Sequence, residues 1–242
     1  MRKLLLFALI VFLGVASLAD AACVDPATLT RSAVGITRMF DAAEAADGVI
    51  GVRGTGWFLS PTTVVTVEHV AAEMKLTRDG WRTIGIGAGA ERQSISARIR
   101  HLAGNGAERI AVLELAQAFV GAQSIALRME PLMPGEPLVS VAYPGARLRV
   151  AGGRFVQYGD GDRVTGAALL EMYDGNDRLV LDHGASGAPV LDCAGRVVAV
   201  VSNLYVRTMR FLSQELRIST AWGDANVVSV PVPVLKDFPR VE

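Results

Sequence analysis

From residue 49 onward the apolar positions come in short, β-branched runs cut by turn residues: 49–53, 56–59, 63–67, 82–86, 94–100 and 110–115. Runs this short, with Gly, Pro, Asn and Asp between them, predict the strands of an all-β sandwich or barrel. A second set follows at 137–142, 148–158, 165–172, 178–181, 188–191, 197–203, 215–220 and 226–230. Between the sets, 118–137 carries Pro131, Pro134 and Gly135 and predicts a connection between two lobes. Ahead of the first set, 22–47 is Ala-rich with Val34, Ile36, Met39 and Phe40 at helical spacing, which predicts a short N-terminal helix or arm. A short helix is expected to close the chain near 233–238. No long amphipathic helix and no alternating βαβ rhythm interrupts this pattern, which argues against a parallel α/β sheet.

Composition narrows the class. With 51% hydrophobic and 20% charged residues over 242 positions, the chain can bury a full core. Its 24 basic and 24 acidic residues cancel, so no summed field gathers nucleic acid or an anionic membrane surface. The first residues set the compartment. Arg2 and Lys3 precede an uncharged apolar run from Leu4 to Leu18, then Ala19-Asp20-Ala21. This reads as a secretory signal peptide over 1–21, the run being shorter than the ~20 residues that span hydrocarbon. The expected mature chain is exported, periplasmic or secreted, with no membrane attachment after cleavage. Export would carry Cys23 and Cys193 into an oxidising space, where they either pair as a disulfide or remain separate thiols.

The chemistry concentrates in Asp182-His183-Gly184-Ala185-Ser186-Gly187-Ala188-Pro189, between the runs 178–181 and 188–191. Serine hydrolysis needs a hydroxyl on a tight turn, an imidazole to take its proton and backbone N–H donors for the oxyanion. Small residues around Ser186 let a carbonyl approach, and the amides of Gly184 and Ser186 form a candidate oxyanion hole. His69 follows the apolar run Val64-Val65-Thr66-Val67. All three histidines (His69, His101, His183) precede Ser186, and Ala188 stands where an α/β-hydrolase elbow needs its second Gly. That fold is excluded.

Several stretches resemble the trypsin-like serine proteases of the chymotrypsin fold, nearest to exported bacterial HtrA-type protease domains. They are Gly54-Thr55-Gly56-Trp57-Phe58, Thr66-Val67-Glu68-His69-Val70, Ile110-Ala111-Val112-Leu113-Glu114-Leu115, Pro134-Gly135-Glu136 with Val141-Ala142-Tyr143-Pro144-Gly145, and Gly184 to Pro189. The resemblance implies two six-stranded antiparallel β-barrels, over 48–125 and 126–242, with the site in the cleft between them. It makes Ser186 the nucleophile and His69 the general base, and it implies a peptide or protein substrate and neither metal nor organic cofactor. Val180 would lie at the base of the primary pocket and Ser202, Asn203 and Leu204 along its wall, an uncharged set that suits a small or apolar side chain. The chain ends soon after the second barrel, so no peptide-binding PDZ module is expected.

One departure bears on activity. The family's aspartate precedes the Ile-Ala-Val-Leu strand, but Arg109 stands there, with Glu108 one residue earlier. Three arrangements fit: Glu108 reaches His69 through a one-residue shift of the loop 104–107; a Ser-His dyad works alone or borrows another acid such as Asp79; or the site is inactive. The expected function is therefore serine endopeptidase, with a silent trypsin-like domain that binds a peptide or protein as the alternative. A carboxylate within hydrogen-bond reach of His69 Nδ1 favours the enzyme, and an Arg109 side chain in that space favours the binder.

Overall fold

The computed structural model describes residues 23–45, 48–144, 147–160, 163–173, 181, 183–204, 208–211, 214–217 and 225–238. The first barrel contains β1 (Ala33–Met39), β2 (Gly51–Ser60), β3 (Thr63–Val67), β4 (Arg82–Ala88), β5 (Glu91–Ala103) and β6 (Ile110–Leu115). The second contains β7 (Pro137–Ala142), β8 (Arg149–Gly159), β9 (Ala167–Tyr173), β10 (Pro189–Leu191), β11 (Val197–Leu204) and β14 (Val227–Pro231). Both are closed and antiparallel, with orders β1-β2-β3-β6-β5-β4 and β10-β11-β14-β9-β8-β7. Read around the ring, each barrel repeats one order of its own strands, and closure leaves no open sheet edge in either. A hairpin of β12 (Thr208–Phe211) and β13 (Gln214–Arg217) stands apart as a two-stranded sheet.

The expected N-terminal helix is corrected: 33–39 is β1, which pairs with β2 and β4, so the first barrel starts ahead of residue 48. Val34, Ile36 and Arg38 are buried while Met39 is 67% exposed. The two-residue step from Val34 to Ile36 was the real signal, and Met39 with Phe40 only imitated a helical face. A three-ten turn, Pro26–Leu29, precedes it, with Asp25 accepting from the Ala27 amide at 2.9 Å. The runs 49–53 and 56–59 fuse into β2, because Gly54 and Gly56 mark close approach rather than a turn. A Cβ on Gly54 would lie 2.5 Å from Val70 Cγ1, and one on Gly56 2.8 Å from Val64 Cγ1. The expected closing helix is a three-ten turn, Val232–Leu235. The signal peptide lies outside the described residues.

Fully buried Trp57 and Phe58 anchor the first barrel, with the Phe58 and Phe119 ring centroids 5.1 Å apart. Leu138, Phe155, Met172 and Val190 fill the second. The connection between barrels is fastened by Arg128, which bonds Glu136 and reaches Asp192 at 3.4 Å. The guanidinium holds the Glu136 carboxyl below its ordinary value against the opposing effect of burial.

Cys23 and Cys193 form a disulfide across 170 residues of sequence. In the chain-entropy model a loop that long stabilises by about 5 kcal/mol. Reduction, or Cys23→Ser, is therefore expected to lower the melting temperature by roughly 10 °C. Thermal melts with and without reductant check this, and coincident melts would show that the bridge does not constrain folding.

Candidate active site

Strand β3 is buried along its whole length and delivers His69 at the start of α1 (Glu68–Glu73). Its last residue, Val67, pairs with Ile110 at the first residue of β6, so 68–69 lie alongside 108–109. The Glu68 amide donates to the Arg109 carbonyl at 2.8 Å and closes this corner. Between β5 and β6, Gly104 and Gly106 adopt φ of +119° and +112°, values that L side chains rarely take.

After that turn, neighbouring side chains part company. Glu108 is buried, its side chain 1% exposed, and its Oε2 lies 2.7 Å from His69 Nδ1 while Oε1 accepts the His69 amide at 3.2 Å. Arg109 turns the other way and grips Glu68, Nε to Oε2 at 2.7 Å and Nη2 to Oε1 at 2.5 Å. That salt bridge lowers the Glu68 carboxyl and raises the Arg109 guanidinium from their ordinary values. The carboxylate beside the imidazole thus comes from one residue earlier than in the family pattern. Asp79 is exposed in the loop before β4.

Sequence reasoning offered Glu108 as one candidate acid for His69 but missed Glu68, whose signal was a charge directly beside His69. It also missed Arg163, whose carbonyl accepts the Glu108 amide at 2.8 Å and whose Nη2 lies 3.6 Å from Glu108 Oε2. This contact ties the acid to the second barrel.

Ser186 sits in the turn before β10, locked between the barrels. Its carbonyl accepts the Thr55 amide at 2.9 Å, and the next amide, Gly187, donates to the Val201 carbonyl at 2.8 Å. The Thr55 hydroxyl donates to the Gly184 carbonyl at 2.6 Å and accepts the Tyr143 amide at 3.0 Å. Thr66 Oγ1 braces the same point by donating to the Thr55 carbonyl at 2.8 Å. These threonines carry no catalytic signature, and only the tertiary arrangement exposes their role. The backbone turn closes through Ala188 to the Ala185 carbonyl at 2.9 Å. Among the described hydrogen bonds, the Gly184 and Ser186 amides donate to no protein acceptor. The Ser186 hydroxyl donates to the Ser202 carbonyl at 3.1 Å.

Of the expected pocket residues, Ser202 is buried on β11, and Asn203 and Leu204 continue that strand. Val180 lies outside the described residues.

Residues 54–200 match the trypsin-like peptidase domain, and no curated protein matches the chain. Many solved structures share the fold, two of them as follows. The active form of the Rv3671c protease from M. tuberculosis aligns with TM-score 0.60 and 20% identity over 100% of this chain and 96% of that one. Deg5 aligns with TM-score 0.56 and 16% identity over 87% and 88%. The matched domain spans more than half of the 242 residues, and the chain belongs to the trypsin-like peptidase family.

Proposed function

We propose that the chain is a serine endopeptidase of exported proteins, with Ser186 as nucleophile, His69 as general base and Glu108 as the acid of the triad. The observation that carries this reading is the buried 2.7 Å contact between His69 Nδ1 and Glu108 Oε2. A carboxylate there holds the proton on Nδ1, leaves Nε2 as acceptor and stabilises the imidazolium as it forms.

In the reaction the Ser186 hydroxyl leaves the Ser202 carbonyl and gives its proton to Nε2 as Oγ attacks the scissile carbonyl. The Gly184 and Ser186 amides, which have no protein acceptor among the described residues, receive the oxyanion. His69 then returns the proton to the leaving amine, and water repeats the sequence on the acyl-enzyme to release the acid. Glu68 keeps the Arg109 cation engaged away from the ring, which removes the repulsion that a free guanidinium would impose on imidazolium. The uncharged sequence Ser202-Asn203-Leu204 on β11 suits a small or apolar side chain on the acyl side.

The Cys23–Cys193 bridge supports an oxidising compartment, in keeping with a leader over 1–21. Among the described residues no helix is long and apolar enough to cross a membrane.

A fluorophosphonate probe is expected to label the folded mature chain, with mass spectrometry placing the adduct on Ser186. An adduct elsewhere would overturn the assignment. The hydrogen bond from the Ser186 hydroxyl to Ser202 favours the second reading, a silent domain that binds peptides without cleaving them. Folded protein that takes no label would establish that one instead.

A further inference from the structure

On the outer face of the first barrel, neighbouring positions of β1 and β4 are glycines. Across β1 and β4, Gly35 pairs with Gly87 and Thr37 with Gly85. Arg53 on β2 stands opposite Thr37, and Arg92 on β5 stands opposite Gly87. With Tyr143 from the second barrel these residues line a cavity of about 220 Å³. The glycines make its floor. A Cβ on Gly35 would meet the Tyr143 ring at 3.3 Å, and one on Gly87 would meet Arg92 Nε at 2.8 Å. Both side chains can therefore lie against the backbone of the sheet.

The charge on this shelf has one sign. Arg53 and Arg92 are exposed, and among the described residues no carboxylate side chain lines the cavity. Arg92 Nη1 donates to the Gly89 and Glu91 carbonyls at 2.8 and 2.7 Å, which fixes the planar group while using one of its three nitrogens. A guanidinium held in this way offers paired donors to a carboxylate.

The shelf is continuous with the nucleophile loop. Arg53 is two residues before Thr55, which binds Ser186 and Gly184 and receives the Tyr143 amide. Ser186 is held by β2 on one side and by Ser202 of β11 on the other, where the Val201 carbonyl also takes the Gly187 amide. In the peptidase reading, the acyl-side residues of a substrate run along 202–204. The leaving-group residues then pass over β2, toward Arg53.

We propose that this glycine-floored shelf binds the leaving-group side of the substrate and selects carboxylate side chains there, so that preferred substrates are acidic shortly after the scissile bond. The proposal rests on Ser186 as nucleophile, and two measurements keep the two claims apart. Binding to the Ser186→Ala protein is measured by fluorescence anisotropy with extended peptides that are identical except for Glu, Gln or Lys at the second and third positions after the scissile bond. The Glu peptide is expected to bind about 10-fold tighter than the Gln peptide at low ionic strength, and Lys weaker still. The preference should fall toward unity in 0.5 M salt, where the screening length is under ~8 Å. It should also vanish when Arg53→Gln and Arg92→Gln are combined, and persist in Arg78→Gln, an exposed arginine outside the shelf. Equal binding of the Glu and Gln peptides, or a preference that survives the double substitution, overturns the shelf whatever the catalytic outcome. With active wild-type protein, kcat/KM for the same peptides should follow the same order. Absence of fluorophosphonate labelling overturns the peptidase reading alone.

Discussion

Glu108→Gln is expected to lower kcat about 10⁴-fold while leaving the fold intact, the magnitude seen when a triad acid becomes its amide. The reason lies in the two contacts of the side chain. One oxygen accepts the His69 amide at 3.2 Å, and the other sits 2.7 Å from Nδ1. A glutamine keeps the first contact with its carbonyl and then presents its NH₂ to Nδ1. That nitrogen must accept, the ring proton moves to Nε2, and the imidazole loses the lone pair that takes the Ser186 proton in the proposed mechanism. The shape is unchanged, so a thermal melt should barely move while steady-state kinetics collapse. A loss under tenfold would mean that the enzyme works as a Ser-His dyad. Arg109→Ala is the informative partner, because its part-exposed pair with Glu68 contributes at most about 1 kcal/mol.

Gly187→Ala is expected to cost at least about 3 kcal/mol of stability and a hundredfold or more in turnover. Gly187 has φ +91°, and a Cβ there would lie 2.0 Å from the Thr55 carbonyl oxygen and 2.1 Å from Thr66 Oγ1. Neither atom can retreat. Thr55 bonds Ser186 and Thr66 at this point, and the Gly187 amide is committed to Val201 on the far side. Relief therefore moves the loop, and Ser186 moves with it. Gly152→Ala provides the contrast, since a Cβ there meets nothing within 4 Å. Its melting temperature and rate should stay near wild type. If Gly187→Ala behaves like Gly152→Ala, the lock between the barrels does not position the nucleophile.

How much of this was written in the chain differs by element. The strands 63–67, 110–115 and 137–142 were legible because each is short, apolar and bounded by turn residues, and their ends agree with the structure. Strand β1 was misread because its alternation is brief and the following Met39 and Phe40 fit a helix equally well; pairing to β2 and β4 decided it. Ser186 and His69 stood out because their neighbours are unusual: a small-residue turn in one case, an imidazole straight after a buried run in the other.

The acid was a different matter. Sequence spacing counts residues along the chain, whereas a triad depends on where side chains point after the chain turns. Two left-handed glycines at 104 and 106 and the corner between Glu68 and Arg109 set Glu108 inward and Arg109 outward. The chain alone thus determined the all-β class and the two residues whose chemistry is announced by their local surroundings. The tertiary structure alone decided which carboxylate meets the imidazole, how Thr55 fastens the Ser186 loop, and that two arginines share a glycine floor beside it. Each of these depends on residues far apart in sequence brought within a few ångströms, and the order of residues carries no record of such distances.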